Sequence, residues 1–254
     1  MALNGKIAVV TGAGRGIGRA IAVRLARDGA MVVVNYQKNQ QAATAVVHEI
    51  EQAGGKAFAL QGDMGSVEDI RQFFQILDDE LGRRHGNSKF DILVNNAGIF
   101  SEGTVESMSE AEFDRTFSVD VKGPFFVSQL AIPRLSNGGR IINISSGASQ
   151  HPSPNHAAYC MAKAAVNMLS MVLAAELGKR GITANTVAPG LTSTDMTSEV
   201  VRDTHMLESF VSRTALGRVG EPDDIADVVA FLASNDSRWI TGQYIEASGG
   251  LTLV

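Results

Sequence analysis

The chain has 254 residues, with 22 Lys and Arg against 27 Asp and Glu, so its formal net charge at pH 7 is −5. This mildly acidic balance argues against a nucleic-acid groove or an anionic membrane surface as the main partner. Apolar residues make up 44% of the chain and charged residues 19%, which excludes a disordered or fibrous protein. The single cysteine excludes an intramolecular disulfide, and the histidines show no metal-ligand spacing, so we expect no metal site.

Targeting and domain signals are absent from the sequence pattern. No basic-then-apolar signal opens the chain, and no apolar run reaches the roughly 18 residues of a membrane span. We therefore expect a cytoplasmic protein without a membrane partner. No repeat, low-complexity tract or linker divides the chain, which predicts one dinucleotide-binding and catalytic domain over residues 1–254.

Short apolar runs rich in β-branched residues alternate with longer stretches of helical spacing from one end of the chain to the other. The predicted strands are residues 7–11, 31–35, 56–60, 92–95, 140–145, 183–188 and 244–247. The predicted helices include residues 17–28, 40–53, 67–81 and 157–177. This alternation predicts an α/β protein with a doubly wound, Rossmann-type parallel sheet of about seven strands and helices on both faces.

A glycine-rich turn, Thr11-Gly12-Ala13-Gly14-Arg15-Gly16-Ile17-Gly18, joins the first predicted strand to the first predicted helix. Glycines permit a tight turn and let backbone N–H groups approach a pyrophosphate at the positive end of the helix. The strand-to-helix context makes this otherwise common pattern informative. We therefore predict that a dinucleotide contacts Gly12, Gly14, Arg15, Gly16, Ile17 and Gly18.

The end of the second predicted strand bears on which dinucleotide binds. An acidic residue usually stands there to bond the ribose 2′-hydroxyl of NAD, but residues 35–38 read Asn-Tyr-Gln-Lys. Arg15 in the glycine turn and Lys38 beyond the strand suit a 2′-phosphate, although Lys38 is equally well explained as a solvated surface residue. The sequence therefore predicts NADPH as cofactor, with Asn35, Tyr36 and Lys38 beside it.

Tyr159 and Lys163 stand four residues apart in a predicted helix and so share one of its faces. A phenol, whose ordinary pKa is about 10, is a poor proton donor or acceptor at neutral pH. A neighbouring ammonium favours the phenolate and lowers that pKa, which makes the two residues an acid–base unit. Ser145 and Ser146 end the preceding predicted strand, where a hydroxyl can reach the same crevice.

Five motifs occur together, in order and at the separations found in one family. They are Thr11–Gly18, Asn95-Asn96-Ala97-Gly98, Ser146, Tyr159 with Lys163, and Pro189-Gly190. On these motifs the chain resembles the short-chain dehydrogenase/reductase family over its full length. It looks most similar to the bacterial 3-oxoacyl-carrier-protein reductase-like branch, including the ending Ile240-Thr241-Gly242 and Ser248-Gly249-Gly250.

The resemblance implies a role for each residue that matches a motif. Tyr159 would be the general acid for carbonyl reduction, and Lys163 would hold the nicotinamide ribose while lowering the pKa of the tyrosine. Ser146 would hydrogen-bond the substrate carbonyl, a position that Ser145 fits less well. Asp63 would bind the adenine amino group. The other cofactor contacts that we expect are Met64, Asn95, Ala97, Gly98, Pro189, Gly190, Thr192 and Thr194.

Asp120 departs from the family pattern, which usually has an asparagine at this place before the fifth strand. In the family, the backbone carbonyl of this residue holds a water in a proton relay to the lysine. An aspartate keeps the carbonyl and adds a charge. Since a second charge in a partly desolvated site is costly unless paired, we expect the carbonyl to matter and the carboxylate to bond neighbouring polar groups.

The predicted helix 157–177 is apolar nearly all round, with Lys163, Asn167, Ser170 and Glu176 as its main polar residues. Such a helix must be buried on nearly all sides, which one face of a sheet cannot provide. The pattern therefore predicts a subunit interface, and the family resemblance agrees. We expect a homotetramer, with a dimer as the second choice.

The sequence predicts an NADPH-dependent reductase that converts a ketone or β-keto group into a secondary alcohol by hydride transfer. The candidate pocket residues are Phe100, His151, Pro152, Met196, Met206 and Phe210. These mostly apolar side chains suit a small-molecule carbonyl substrate with an apolar or aromatic body. The alternatives are an NAD-linked alcohol or sugar dehydrogenase and a cofactor-binding regulator. Ser146, Tyr159 and Lys163 argue against the regulator, because a protein that only binds has no need of them.

Overall fold

The computed structural model describes residues 2–251 and 253 and contains all seven predicted strands. The strands are β1 (Ile7–Val10), β2 (Met31–Tyr36), β3 (Lys56–Gln61), β4 (Phe90–Asn95), β5 (Leu135–Ile144), β6 (Thr183–Pro189) and β7 (Tyr244–Ala247). The helices are α1 (Gly16–Arg27), α2 (Gln40–Gln52), α3 (Val67–His85), α4 (Glu110–Phe117), α5 (Gly123–Ala131), α6 (Ala157–Leu177), α7 (Ser198–Arg202), α8 (Thr204–Val211) and α9 (Pro222–Ala233).

The strands form one sheet in the order β3-β2-β1-β4-β5-β6-β7, and every neighbouring pair is parallel. The order reverses between β1 and β4, so the connections leave these two strands in opposite directions across the sheet. Ligands of open parallel sheets bind at such a reversal, outside the carboxyl ends of the strands. The predicted doubly wound, Rossmann-type fold is confirmed.

Both faces of the sheet are covered, which explains why its central strands are apolar throughout. Ile7 and Val9 of β1 point into the core on the side of α3, α5 and α6, while Ala8 and Val10 point into the core on the side of α1, α2 and α9. Burying a Val or Ile side chain stabilises the fold by about 1.5–3 kcal/mol. Successive residues of one strand therefore hold two helical layers in place.

Helix α6 packs against β6 and lies in the layer with α3 and α5. Within the described part of the chain, Ala157–Arg180 is the one helical segment that is long and apolar enough to cross a membrane by length and composition. Half of the most apolar part of this segment is buried inside the fold, as in a core helix. The opposite face of the helix is exposed, and this exposed α6 stripe consists of Met161, Met168, Met171 and Val172.

Candidate active site

The glycine-rich turn is held by a side chain of β2 and by the backbone of the loop after β4. The Asn35 carboxamide oxygen accepts the Gly12 N–H at 3.0 Å, and the Thr11 hydroxyl accepts the N–H groups of Asn96 and Ala97 at 2.9 and 3.0 Å. Gly12 has a φ of +63°, and a Cβ there would lie 3.0 Å from the Ala97 Cα. Only glycine therefore combines this backbone conformation with so close an approach.

The start of α1 is open to an anion. No side chain of residues 2–251 or 253 caps this helix, whereas the side chains of Asn39 and Ser66 cap α2 and α3. Its first backbone N–H groups and the positive end of its dipole therefore face the crevice. A Cβ on Gly14 would be in van der Waals contact with the start of α2, 3.6 Å from the Ala43 nitrogen, so the turn packs closely against that helix. These features fit the pyrophosphate of a dinucleotide.

The loop after β6 forms the other side of this crevice. A Cβ on Gly16 would lie 3.5 Å from the Thr194 methyl group, so the loop and the glycine turn are in contact range. Pro189 ends β6, and the Thr192 hydroxyl donates to the Gly190 carbonyl at 3.1 Å. The structure thus brings these predicted cofactor contacts to the same strand edge as the glycine turn.

Arg15 and Lys38 lie on the surface beside the glycine turn and the end of β2. The Arg15 guanidinium lies 3.4 Å from Asp195, and both side chains are more than 70% exposed, at 74% and 72%. An exposed ion pair of this kind is worth about 0–1 kcal/mol, so Arg15 exchanges partners at little cost. The Asp63 carboxylate accepts the Gln37 amide at 2.7 Å and the Gly65 N–H at 2.8 Å. The end of β2 carries no acidic residue.

The side chains of three residues that we expected at the cofactor are buried inside the fold instead. Asn35 is 1% exposed and also donates to the carbonyl of Gly62 at 3.1 Å. Asn95 donates to Asn143 at 2.8 Å, and the Met64 side chain is buried in the core. These side chains shape the sheet edge rather than face the crevice, because a buried amide must satisfy its donors within the protein.

A row of buried polar side chains runs beneath the crevice, and sequence analysis missed it. Asn95 of β4 donates to Asn143 of β5, Asn143 donates to Ser170 of α6 at 2.8 Å, and Ser170 shares a hydrogen bond of 2.7 Å with Thr186 of β6. Asn95 ends β4, Asn143 is the last residue but one of β5, and Thr186 lies in the middle of β6. The asparagines in the apolar runs of β4 and β5 were the available signal. The row joins three strands and one helix beneath the site.

Helix α6 places Tyr159 and Lys163 at the carboxyl edge of the sheet, where both are more than nine-tenths buried. The Lys163 Nζ lies 5.6 Å from the centre of the Tyr159 ring and donates to the Ile144 carbonyl at 3.4 Å. The Ser145 hydroxyl donates to the Lys163 backbone carbonyl at 3.0 Å, while the Ser146 hydroxyl faces the Tyr159 phenol. The geometry therefore favours Ser146 over Ser145 as the hydroxyl of the site.

Burial and the neighbouring charges shift the pKa values of Tyr159 and Lys163 in opposite directions. Burial raises the pKa of the Tyr159 phenol above its usual value, and the Lys163 ammonium and the Ser146 hydroxyl only partly oppose that rise. Burial alone lowers the pKa of Lys163, but Asp120 and Tyr159 more than offset it, so the pKa of Lys163 is raised. Lys163 is therefore an ammonium at neutral pH, beside a phenol that is protonated.

Asp120 lies in a π-helical turn, Ser118–Lys122, between α4 and α5. Its carboxylate accepts the Ile99 N–H at 3.0 Å, as expected for bonding to a neighbouring polar group, but the same oxygen is 3.8 Å from the Lys163 Nζ. The expected bond to a neighbouring polar group is therefore accompanied by a close approach to Lys163. Gly98 is the physical reason, since a Cβ there would lie 2.8 Å from the carboxylate oxygen and 3.1 Å from Nζ.

Among the candidate pocket residues in the described structure, Phe100 is the one whose ring contacts the Tyr159 ring. The two ring centres are 5.1 Å apart in an edge-to-face arrangement, and the His156 ring lies 4.7 Å from Phe100 on the other side. Phe100 is 41% exposed, so part of its ring faces solvent. His151 instead lies 3.6 Å from Glu246 of β7. The other candidates, Pro152, Met196, Met206 and Phe210, are at least partly exposed.

Comparison with known proteins identifies the family. The family model described as enoyl-(acyl carrier protein) reductase matches residues 12–252. An uncharacterized oxidoreductase of Methylorubrum extorquens is 46% identical, with 98% of each chain covered. A probable tetrahydroxynaphthalene reductase of Zymoseptoria tritici is 41% identical over 97% of this chain and 94% of its own. The crystal structure of the angucycline C-6 ketoreductase LanV with bound NADP is 44% identical, with a TM-score of 0.95 and coverage of 100% and 98%.

The chain belongs to the short-chain dehydrogenase/reductase family of NAD(P)-dependent oxidoreductases. The prediction of this family from five motifs in register is confirmed.

Replacing Asn35 with Ala tests its role in shaping the glycine turn. The Gly12 N–H and three carbonyls lose a hydrogen-bond partner, so we expect the free energy of unfolding to fall by about 1–3 kcal/mol. The KM for the dinucleotide rises while kcat changes less, because the turn loosens but Tyr159 is untouched. Chemical denaturation and steady-state kinetics measure the two effects. Asn137→Ala, which removes an exposed partner of Arg180, is the control. An unchanged KM in Asn35→Ala contradicts the assignment.

Proposed function

We propose that the protein reduces a ketone to a secondary alcohol with NADPH, within a single domain of 254 residues. The observation that carries this proposal is the Tyr159 phenol, which is buried between the Ser146 hydroxyl and the Lys163 ammonium at the strand edge that also holds the open glycine turn. A protonated phenol held beside a cation is suited to donate a proton to a developing alkoxide.

Each residue of the site has a separate role in the proposed reaction. NADPH, when bound, supplies the hydride. Ser146 donates a hydrogen bond to the substrate carbonyl oxygen, and Tyr159 transfers its phenolic proton to that oxygen. The Lys163 ammonium stabilises the phenolate that is left behind, because the two groups are close and both are buried. Lys163 would also hold the nicotinamide ribose of the bound cofactor.

NADPH, rather than NADH, is the cofactor that the charges around β2 favour. The strand ends without an acid, and Arg15 is weakly held at the surface where a 2′-phosphate can recruit it. The similar ketoreductase LanV was solved with NADP. The backbone of the glycine turn would receive the pyrophosphate, and Asp63 would bond the adenine amino group.

We propose a ketone on a planar aromatic body as the substrate class. Phe100 and His156 make an aromatic wall against Tyr159, and the exposed part of the Phe100 ring is available for stacking. The relative from Zymoseptoria tritici carries the name of a naphthalene derivative. Such a substrate would lie with its ring on Phe100 and its carbonyl toward Tyr159.

The exposed α6 stripe supports a homo-oligomer, and we propose a homotetramer in which this stripe is one interface. Met161, Met168 and Val172 follow each other at helical spacing, each about half exposed, and Phe125 of α5 is exposed to a similar degree. Apolar side chains repeated along one helix face need a partner surface. The cytoplasmic location stays a prediction from the sequence.

A panel of ketones tests the activity. We expect NADPH oxidation with a bicyclic aromatic ketone, and a turnover at least about a hundredfold lower in Tyr159→Phe, because the general acid is lost while the ring is kept. NADPH fluorescence titration should give a similar Kd for both proteins. Tyr244→Phe, which removes the hydroxyl of a β7 tyrosine that the proposed chemistry does not use, is the matched control with normal turnover. A Tyr159→Phe enzyme with near-normal kcat overturns the assignment.

The choice of cofactor is tested by Arg15→Ala. The KM for NADPH should rise about ten- to hundredfold, since a hydrogen bond to a charged group is worth about 1.5–3 kcal/mol, and the KM for NADH should change little. Steady-state kinetics with each cofactor give the comparison. Arg71→Ala, at an exposed position of α3, controls for the loss of one positive charge. Equal effects on NADPH and NADH contradict the proposal.

The interface is tested by Met168→Glu. A charge at the centre of the exposed α6 stripe should prevent close packing of two subunits, because desolvating an unpaired carboxylate is costly. Size-exclusion chromatography with light scattering should show a smaller assembly than wild type. Ile76→Glu, at an exposed apolar position of α3, should leave the assembly unchanged. A wild-type monomer, or a Met168→Glu protein of wild-type size, rules out this interface.

A further inference from the structure

Asp120 places a carboxylate inside the fold next to the acid–base pair. The residue is 1% exposed, and its Oδ1 lies 3.8 Å from the Lys163 Nζ while accepting the Ile99 N–H. Its Oδ2 is buried with no hydrogen-bond partner among the described residues. A carboxylate buried this deeply is tolerated only where a cation compensates its charge, and Lys163 is the cation within reach.

The buried Lys163 ammonium also depends on its contact with the Asp120 carboxylate. The residue is 5% exposed, and within the described structure its ammonium donates a hydrogen bond to the Ile144 carbonyl at 3.4 Å. An asparagine at position 120 accepts the Ile99 N–H equally well but brings no charge. The aspartate therefore adds one thing that an amide does not, which is a negative charge beside the ammonium that faces Tyr159.

The titratable groups around this contact lie on two elements. Lys163, Tyr159 and the Cys160 thiol are on α6, and Asp120 is in the π-helical turn packed against it. Within the described part of the chain, these four are the ionisable groups that act on Tyr159 or Lys163. A lone ammonium stabilises a nearby phenolate strongly, whereas an ammonium paired with a carboxylate is nearly neutral at the distance of the phenol.

We propose that Asp120 is a positioning residue whose carboxylate pairs with the Lys163 ammonium and thereby keeps the Tyr159 phenol protonated to higher pH. The consequence is a wider pH range for carbonyl reduction, which consumes the protonated phenol. This consequence rests on the proposed function, but the effect of Asp120 on the phenol does not.

The sign of the effect follows from the charges. Asp120→Asn removes a negative charge that repels the phenolate and frees the ammonium to attract it, so the pKa of Tyr159 falls. Reduction needs the protonated phenol and is lost as pH rises through that pKa. The alkaline limb of the reduction profile should therefore move to lower pH in Asp120→Asn, by about one to three units, the range typical of a close charge.

Two measurements on wild type and Asp120→Asn test the proposal. The first is kcat/KM for the ketone against pH. The second is the tyrosinate absorbance of the cofactor-free enzyme against pH, with Tyr159→Phe in each background subtracted to separate Tyr159 from the other two tyrosines. We expect the alkaline limb and the Tyr159 titration both to move to lower pH. Superimposable curves in both measurements overturn the proposal.

Control variants separate charge from structure. Glu68→Gln, at a largely exposed position of α3, removes one carboxylate far from the site and should leave both curves unchanged. Asp120→Ser removes the charge but keeps an oxygen, and it should shift both curves in the same direction as Asp120→Asn. It also replaces Asp120→Asn if thermal unfolding shows that the asparagine variant is not folded. A shift in only one of the two variants identifies a packing effect and overturns the proposal.

The two measurements also separate this proposal from the proposed function. If wild type reduces no ketone but the Tyr159 titration shifts in Asp120→Asn, the proposed function fails and the effect of Asp120 on the phenol is supported. If ketones are reduced and the Tyr159 titration does not shift, the proposed function stands and the role of Asp120 is overturned.

Discussion

Burial of the Lys163 ammonium is the constraint around which this end of the protein is arranged. A cation removed from water is costly unless its neighbours compensate for it. The compensation comes from three parts of the fold, namely the Asp120 carboxylate, the Ile144 carbonyl and the Tyr159 ring. The bare Cα of Gly98 makes the arrangement possible, because any larger residue would intrude between the carboxylate and the ammonium.

The polar residues near the ends of the apolar strands are also compensated inside the fold. A parallel sheet covered on both faces leaves buried polar groups no access to water, so they must satisfy one another. Asn35 does so by holding the glycine turn, and Asn95 does so through Asn143 and Ser170. Side chains behind the crevice therefore hold the backbone of the glycine turn in position. A preorganised backbone of this kind binds a dinucleotide without first having to be ordered.

Helix α6 links chemistry and packing because its opposite faces have different surroundings. The inner face carries Tyr159 and Lys163 and packs on the sheet, whereas the outer face carries the exposed α6 stripe. A rigid helix transmits the position of one face to the other. Any surface that covers the stripe therefore packs on the same helix that carries Tyr159 and Lys163.

The sequence by itself determined the features that depend on residues close together in the chain. Apolar periodicity located all seven strands, the glycine spacing located the turn, and the four-residue interval placed Tyr159 and Lys163 on one helix face. Motifs in register also identified the family. These inferences succeed because periodicity and helix geometry are local properties.

Only the tertiary structure decided which distant side chains meet. Asp120 lies beside Lys163 because a π-helical turn and Gly98 bring two separate segments together. Asn35 turns inward to the glycine loop, although its position at a strand end suggested a cofactor contact. Contacts of this kind depend on how strands and helices from separate parts of the chain pack against each other. No local pattern in the sequence encodes that packing, because the energy of a buried polar group is set by whichever partners the whole fold brings within hydrogen-bonding distance.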